Sequence, residues 1–337
     1  MKKNSNHKIK IPLTFFLILF FIGIGLSEIV ARSISFTIGT ATGKSSAKWF
    51  QEQWKPINEL GYRDYPIRYR VATQKKIIFI VGDSFSAGHG VKFSETYAAK
   101  LKELVGNQYE IFNISQLGAS TKKEIENLTN FINLTKIKPD IIIHQYFFND
   151  IEDYITFSSP PKAAPITRWL AKNTAIFNLV HSLYTYKTWG ESYIHKLKSA
   201  YENEEIFKQH LADINHLHRI IAEQNAEGIY LIFPSIYPDE QLEISKKFAG
   251  KLKENFLFQC NEGAVLFDTY ELIKETPPKE RIVNLMDTHP SPKLHAKVGN
   301  ALMKILTMPV TKRDAQDSSI IACNQPKQKK LSNTSNQ

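Results

Sequence analysis

"KIIFIVGDSFSAGHGV" (residues 76–91) decides how the rest of the chain is read. Its apolar run ends at Gly82, and a loop of small residues follows the Asp83–Ser84 pair. A short, unbroken apolar run bounded by glycine reads as a strand buried on both faces. Four further runs share that character: "YEIFNIS" (109–115), "PDIIIHQYF" (139–147), "GIYLIFP" (228–234) and "GAVLFD" (263–268). Between them lie amphipathic patterns: one from Ser94 to the stop at Gly106, one opened by the capping-box spelling Thr121–Glu124, one carrying Phe207, Leu211, Ile214, Leu217 and Ile221, and one over about 238–256. A last helix starts at Ser291–Pro292 and carries Leu294, Val298, Leu302 and Ile305 inward. Strands alternating with helices in this way predict an α/β domain with a doubly wound, flavodoxin-like sheet of about five parallel strands over residues 71–309.

The flanks are different. "MKKNSNHKIK" (1–10) is a basic segment, and "IPLTFFLILFFIGIGLS" (11–27) carries no charge; with "EIVA" it gives a transmembrane anchor over 11–31. The preceding lysines keep the N-terminus cytoplasmic and send the body across, so the catalytic domain is expected in the periplasm. A cleaved signal peptide ending near Ser27 is the alternative reading, and either one exports the body. Residues 32–70 form a juxtamembrane segment ending in "NELGYRD" (58–64). An insertion at about 151–204, with "SSPPKAAP" and Trp169, Phe177, Tyr184, Tyr186, Trp189 and Tyr193, interrupts the alternation; it reads either as a helical packing layer or as a lid or acceptor surface. The tail 310–337 is polar and expected to be disordered.

The 43 basic and 33 acidic residues give a net charge of +10, but the lysines before residue 11 and the tail hold +7 of it. A nearly balanced body without a finger or RNP-like motif argues against nucleic-acid binding. The two cysteines, Cys260 and Cys323, suit an oxidising compartment without imposing a disulfide framework. Metal-ligand spacing is absent, since His216 and His218 lie two apart on a predicted helix and point to different faces; no metal or cofactor is implied. A P-loop reading of "GDSFSAGHG" fails for want of a following Gly-Lys-Ser/Thr.

In an open parallel sheet, ligands sit beyond the carboxyl ends of the strands. The polar residues there are Gly82-Asp83-Ser84, Gly118 and Asn149-Asp150, joined by Asp287-Thr-His289 before the last helix. Serine needs a base and oxyanion donors. Ser84 can attack, His289 can take its proton and Asp287 can fix the imidazole; the Ser84 and Gly118 amides and the Asn149 side chain can form an oxyanion hole. Each alone has a plainer reading: a turn for Gly-Asp-Ser and Gly118, a helix cap for Asn149, a loop histidine for His289. His89 reads as a solvated loop residue, and His144 as a hydrogen-bonded core histidine.

These blocks resemble those of the SGNH (GDSL-type) hydrolases over about residues 58–308. "IVGDSFSAGHGV" is similar to the serine block, "FNISQLGAST" to the glycine block, "YFFND" to the asparagine block and "DTHPS" to the aspartate–histidine block. "NELGYRD" with an N-terminal anchor resembles a membrane-tethered bacterial branch. The resemblance implies a serine esterase with Ser84, Asp287 and His289 catalytic and Ser84, Gly118 and Asn149 in the oxyanion hole. The expected substrates are acylated small molecules, glycans or lipids, with O-acetyl groups of envelope glycans first. Acyl transfer to a glycan hydroxyl and a non-catalytic envelope binding protein are the alternatives. Two positions depart from the family pattern: Phe147 stands where the asparagine block usually opens with glycine, and Met286 stands three before His289, where the acidic residue often lies.

Overall fold

The computed structural model describes residues 12–37, 43–70, 74–156, 164–259, 263–308 and 319–323. A six-stranded sheet carries the order β2-β1-β3-β4-β5-β8. Its strands are β1 (Lys76–Val81), β2 (Tyr109–Asn113), β3 (Ile141–Phe147), β4 (Glu227–Phe233), β5 (Val265–Asp268) and β8 (Ile320–Ala322). The first five are parallel, as their unbroken apolar runs predict; β8 is antiparallel to β5. A separate two-stranded ribbon joins β6 (Ile282–Asn284) to β7 (Asp287–Pro290).

Twelve α-helices surround these strands among the described residues: α1 (Leu13–Thr37), α2 (Gly43–Gln53), α3 (Ser84–Ala87), α4 (Tyr97–Val105), α5 (Thr121–Thr135), α6 (Pro165–Asn173), α7 (Ala175–Glu202), α8 (Glu204–Glu223), α9 (Asp239–Gln259), α10 (Tyr270–Lys274), α11 (Pro278–Arg281) and α12 (Pro292–Thr307). The alternation of side chains along each strand splits the core into two layers. On one face Phe79, Phe112, Ile142 and Tyr230 pack with Leu128 and Phe131 of α5, Leu217 of α8 and Phe248 of α9. On the other, Ile78, Ile111, Ile143 and Leu231 meet Leu101 of α4 and Val298 and Leu302 of α12.

Four sequence expectations change. The tail is not wholly without structure: Ile320–Ala322 forms the edge strand, and Cys323 is buried and disulfide-bonded, Cys260 being the chain's other cysteine. Ile320 and Ile321 supply the apolar pair that the polar composition around them hides. The rest of 310–337, apart from Ser319–Cys323, lies outside the described residues. The helix expected from Ser94 begins at Tyr97, because Thr96 Oγ1 accepts from the Ala99 amide and caps it. The capping box at Thr121–Glu124 does not form. Ser120 is the N-cap residue, and buried Glu124 turns to His144 Nε2 at 3.0 Å.

The fourth change concerns the end of the segment assigned to 32–70, which is built into the domain. Arg70 is buried; it donates to Asp64 Oδ2 at 2.7 Å, to Glu110 Oε1 on β2 at 2.5 Å, and to the Ile111 carbonyl. Burial raises the Asp64 carboxyl, and Arg70 opposes that rise. Removing one partner of a buried ion pair leaves an uncompensated charge and costs about 3–5 kcal/mol. Arg70→Ala is therefore expected to lower unfolding free energy by that order in urea titration, whereas Lys75→Ala, a partly exposed neighbour of Glu110, costs under about 1 kcal/mol.

Candidate functional site

The site lies where the carboxyl ends of β1, β2 and β3 meet the β6–β7 ribbon. Asp83 ends the β1 exit and caps α3, its Oδ1 accepting from the Phe85 amide at 2.9 Å. Ser84 is the first residue of that helix, so its own amide is one that the helix leaves without an internal partner. Its hydroxyl faces the ribbon: Ser84 Oγ lies 2.9 Å from His289 Nε2. His289 Nδ1 lies 2.6 Å from Asp287 Oδ1, and the His289 amide donates to the same oxygen at 3.2 Å. The network assigns the tautomer, with Nδ1–H donating to Asp287 and Nε2 accepting from Ser84. The two-residue spacing of Asp287 and His289 thus closes on itself, on a short strand rather than the expected loop.

Burial alone would raise the Asp287 carboxyl, but the hydrogen bond from His289 and the nearby His89 imidazole hold it well below the usual carboxylate range. It is therefore ionised whenever the imidazole needs a counter-charge. Asp83, fully buried, is shifted the other way by desolvation.

Gly118 follows β2 in a turn whose Gln116 amide donates to the Gly82 carbonyl at 3.1 Å, tying the loop to the one that bears Ser84. Gly118 is exposed and has φ +64°, a backbone that favours glycine. Asn149 follows β3 and is half-buried, with its Oδ1 enclosed and unpartnered. Phe147 stacks on Phe85 with ring centroids 4.0 Å apart, and Phe85 borders His289 at 5.6 Å.

Two features were not legible. His89 is not a solvated loop residue: its side chain is 16% exposed, and Trp49 and Phe50 of α2 pack against its ring. Its Nδ1 lies 3.1 Å from His289 Nδ1 and 3.5 Å from Asp287 Oδ2, an oxygen with no hydrogen bond of good geometry. Burial lowers the His89 pKa, against the pull of the Asp287 carboxylate. Gly90 permits this approach, having φ +83° and a position where a Cβ would lie 2.9 Å from Asp287 Oδ2 and 2.7 Å from Val283 Cγ2. Arg63 of "NELGYRD" is the second. Buried between Trp49 and Trp54, it donates to the carbonyls of Gly88 (2.5 Å), Val91 (2.9 Å) and Gln53 (2.8 Å), clamping the His89 loop. Nothing in their local sequence marks either residue, because their partners lie far along the chain.

His144, as expected, is a core histidine, paired with Glu124. Donor atoms of His89, Asp287 and His289, and of Glu124, His144 and Asp150, each gather within 4.8 Å. In the first set His289 and Asp287 are already hydrogen-bonded to each other at 2.6 Å; in the second, the Glu124–His144 pair already occupies two of the donors.

No family model and no curated relative matches the chain. It is similar to several solved structures. TesA is 14% identical with a TM-score of 0.43, over 69% of this chain and 98% of that one. The psychrotrophic esterase EstA from Pseudoalteromonas sp. is 14% identical with a TM-score of 0.42, over 69% and 100%. A mutant of an acetyl-xylooligosaccharide esterase from Geobacillus Stearmophilus is 14% identical with a TM-score of 0.43, over 71% and 97%. Likeness at this level carries no argument about chemistry, which rests on the distances above.

The packing of His89 against Trp49, Phe50 and the Asp287–His289 pair has a measurable consequence. Truncating a buried aromatic ring to alanine leaves a cavity and costs about 3–5 kcal/mol at the upper end; His89→Ala is expected to lower unfolding free energy by up to that order in urea titration, and His89→Asn, which keeps an N–H near Nδ1 but fills less of the site, by less.

Proposed function

We propose that the chain is a serine ester hydrolase working through an acyl-Ser84 intermediate. The observation that carries this reading is the unbroken relay from Ser84 Oγ through His289 to Asp287. Ser84 Oγ attacks the acyl carbon and passes its proton to His289 Nε2, while the Asp287 carboxylate stabilises the imidazolium. The amides of Ser84 and Gly118 and the side-chain amide of Asn149 receive the developing oxyanion. Collapse of the tetrahedral species breaks the ester C–O bond, and the leaving alcohol takes the proton from His289. Water then attacks the acyl-enzyme, giving its proton to His289, and Ser84 recovers a proton as the carboxylic acid departs. A lone Gly-Asp-Ser turn has no use for an imidazole placed at hydrogen-bond distance, which disfavours the non-catalytic reading.

The reading places the domain on the exported side of a membrane. Residues Leu13–Ser33 have a mean hydropathy of 2.4 and are long and apolar enough to cross a bilayer, and lysines precede them; a signal sequence passes the same test. On that side the substrates of first choice are O-acyl groups, acetyl above all, on envelope glycans or lipids. Acyl transfer shares the first half-reaction and differs only in the acceptor.

Hydrolysis of p-nitrophenyl acetate and longer esters, run beside fluorophosphonate labelling, tests the proposal. Ser84→Ala is expected to abolish labelling and lower kcat by roughly 10³-fold or more, and Asp287→Asn to lower kcat by roughly 10²–10⁴-fold. Labelling without turnover in the native chain would favour transfer to a missing acceptor, and neither labelling nor turnover would remove the hydrolase reading.

A further inference from the structure

The helical insertion carries an apolar surface that the chemistry at Ser84 does not use. Along α7, Ile176, Val180, Leu183 and Tyr184 recur at i, i+4, i+7 and i+8 and so share one face. They are 37–68% exposed. On α6, Ile166 and Trp169 stand nearly one turn apart and are 63% and 58% exposed. No residue of α6 is buried, and Arg168 and Lys172 add exposed positive charge to it. Leaving such side chains in water forgoes the favourable transfer that burial brings, so a set of them on two adjoining helices points to an occupant.

The position of α7 identifies that occupant. Glu28, near the end of the apolar span, accepts from the Ala175 amide at 2.8 Å and the Ile176 amide at 3.0 Å, capping the N-terminus of α7. The exposed face of α7 therefore begins beside Glu28, towards the C-terminal side of the apolar span of α1. Its other half is built into the core through Leu197, Ala200 and Tyr201, and Tyr193 hydrogen-bonds Glu152 in the turn that follows Asn149. A helix pair that exposes Trp, Tyr and branched residues with cations among them has the composition of an element lying in the headgroup region of an anionic bilayer.

We propose that α6 and the first half of α7 form a membrane-docking surface, seated on the same anionic bilayer that α1 crosses. The docked pair would supply a second attachment besides α1, and α7 would link the lipid surface to the segment bearing Asn149. The inference rests on the proposed anchor and is independent of the hydrolase chemistry.

Nitroxide labels test it in the full-length chain reconstituted into vesicles of phosphatidylethanolamine and phosphatidylglycerol. Trp169→Cys and Val180→Cys report the surface, Phe20→Cys reports the span, and Asn300→Cys on α12 reports solvent. Labels at 169 and 180 are expected to collide preferentially with oxygen over a water-soluble nickel chelate, as the label at 20 does, while the label at 300 shows the reverse. If the label at 20 is lipid-exposed but those at 169 and 180 match 300, the docking surface is overturned and the anchor stands. If 20 also behaves as solvent-exposed, the anchor fails. Labels at 169 and 180 shielded from both reagents and dipolar-coupled between chains would mean that a second copy covers the face, and would equally overturn lipid docking.

Discussion

One hydrogen bond, from Ser84 Oγ to His289 Nε2, joins positions 205 residues apart, and the arrangement of the fold can be read as what brings its two ends together. β1 delivers Ser84 at its carboxyl end, and α3, capped by Asp83, turns the hydroxyl out of the strand direction. From the other side, Ser291 caps α12 through the Leu294 amide, and its own amide donates to the Arg281 carbonyl. That fixes the ribbon just upstream, with Asp287 and His289 on β7. Val298 and Leu302 of α12 pack with Leu101 of α4, so the ribbon's anchor and the strand leading to Ser84 share one core layer.

Around that bond the electrostatics divide into two environments. Asp287 is held ionised by two imidazoles, whereas Asp83, Glu124 and Asp150 lie fully buried beneath the strand ends with their carboxyls raised, first by desolvation. For Asp150 the neighbouring Glu124 and Asp83 push further in the same direction. Asp150 Oδ2 accepts from the Phe147 amide at 3.0 Å and holds the turn that presents Asn149.

The parallel sheet was legible because each strand is an unbroken apolar run and each helix an amphipathic one, signals that need no partner to be read. The polar residues at the strand ends were legible for the same reason, since the topology says where such ends converge. The rest depends on contacts distant in sequence. Arg63 sits in a turn-like heptapeptide, and only the folded chain brings the Gly88 and Val91 carbonyls to it. Glu124 fits a capping box by spacing, but burial beside His144 wins, and Ser120 at the N-cap position turns its hydroxyl to Asp153 instead. β8 is three residues within a polar tail, too short for periodicity to distinguish, and exists through its pairing with β5. His89 looks solvated because nothing in its own loop shows that Trp49 and Phe50 of α2 cover it.

The central claim is that Ser84 itself carries the acyl group. Rapid quenching after mixing with p-nitrophenyl acetate at low pH, followed by mass spectrometry of peptides, reads this directly. The account predicts a mass gain of one acetyl group on the peptide containing Ser84, lost on return to neutral pH and absent when His289 is replaced by alanine. Turnover with no acetyl on Ser84, or acetyl found on another side chain while Ser84→Ala retains activity, would contradict it.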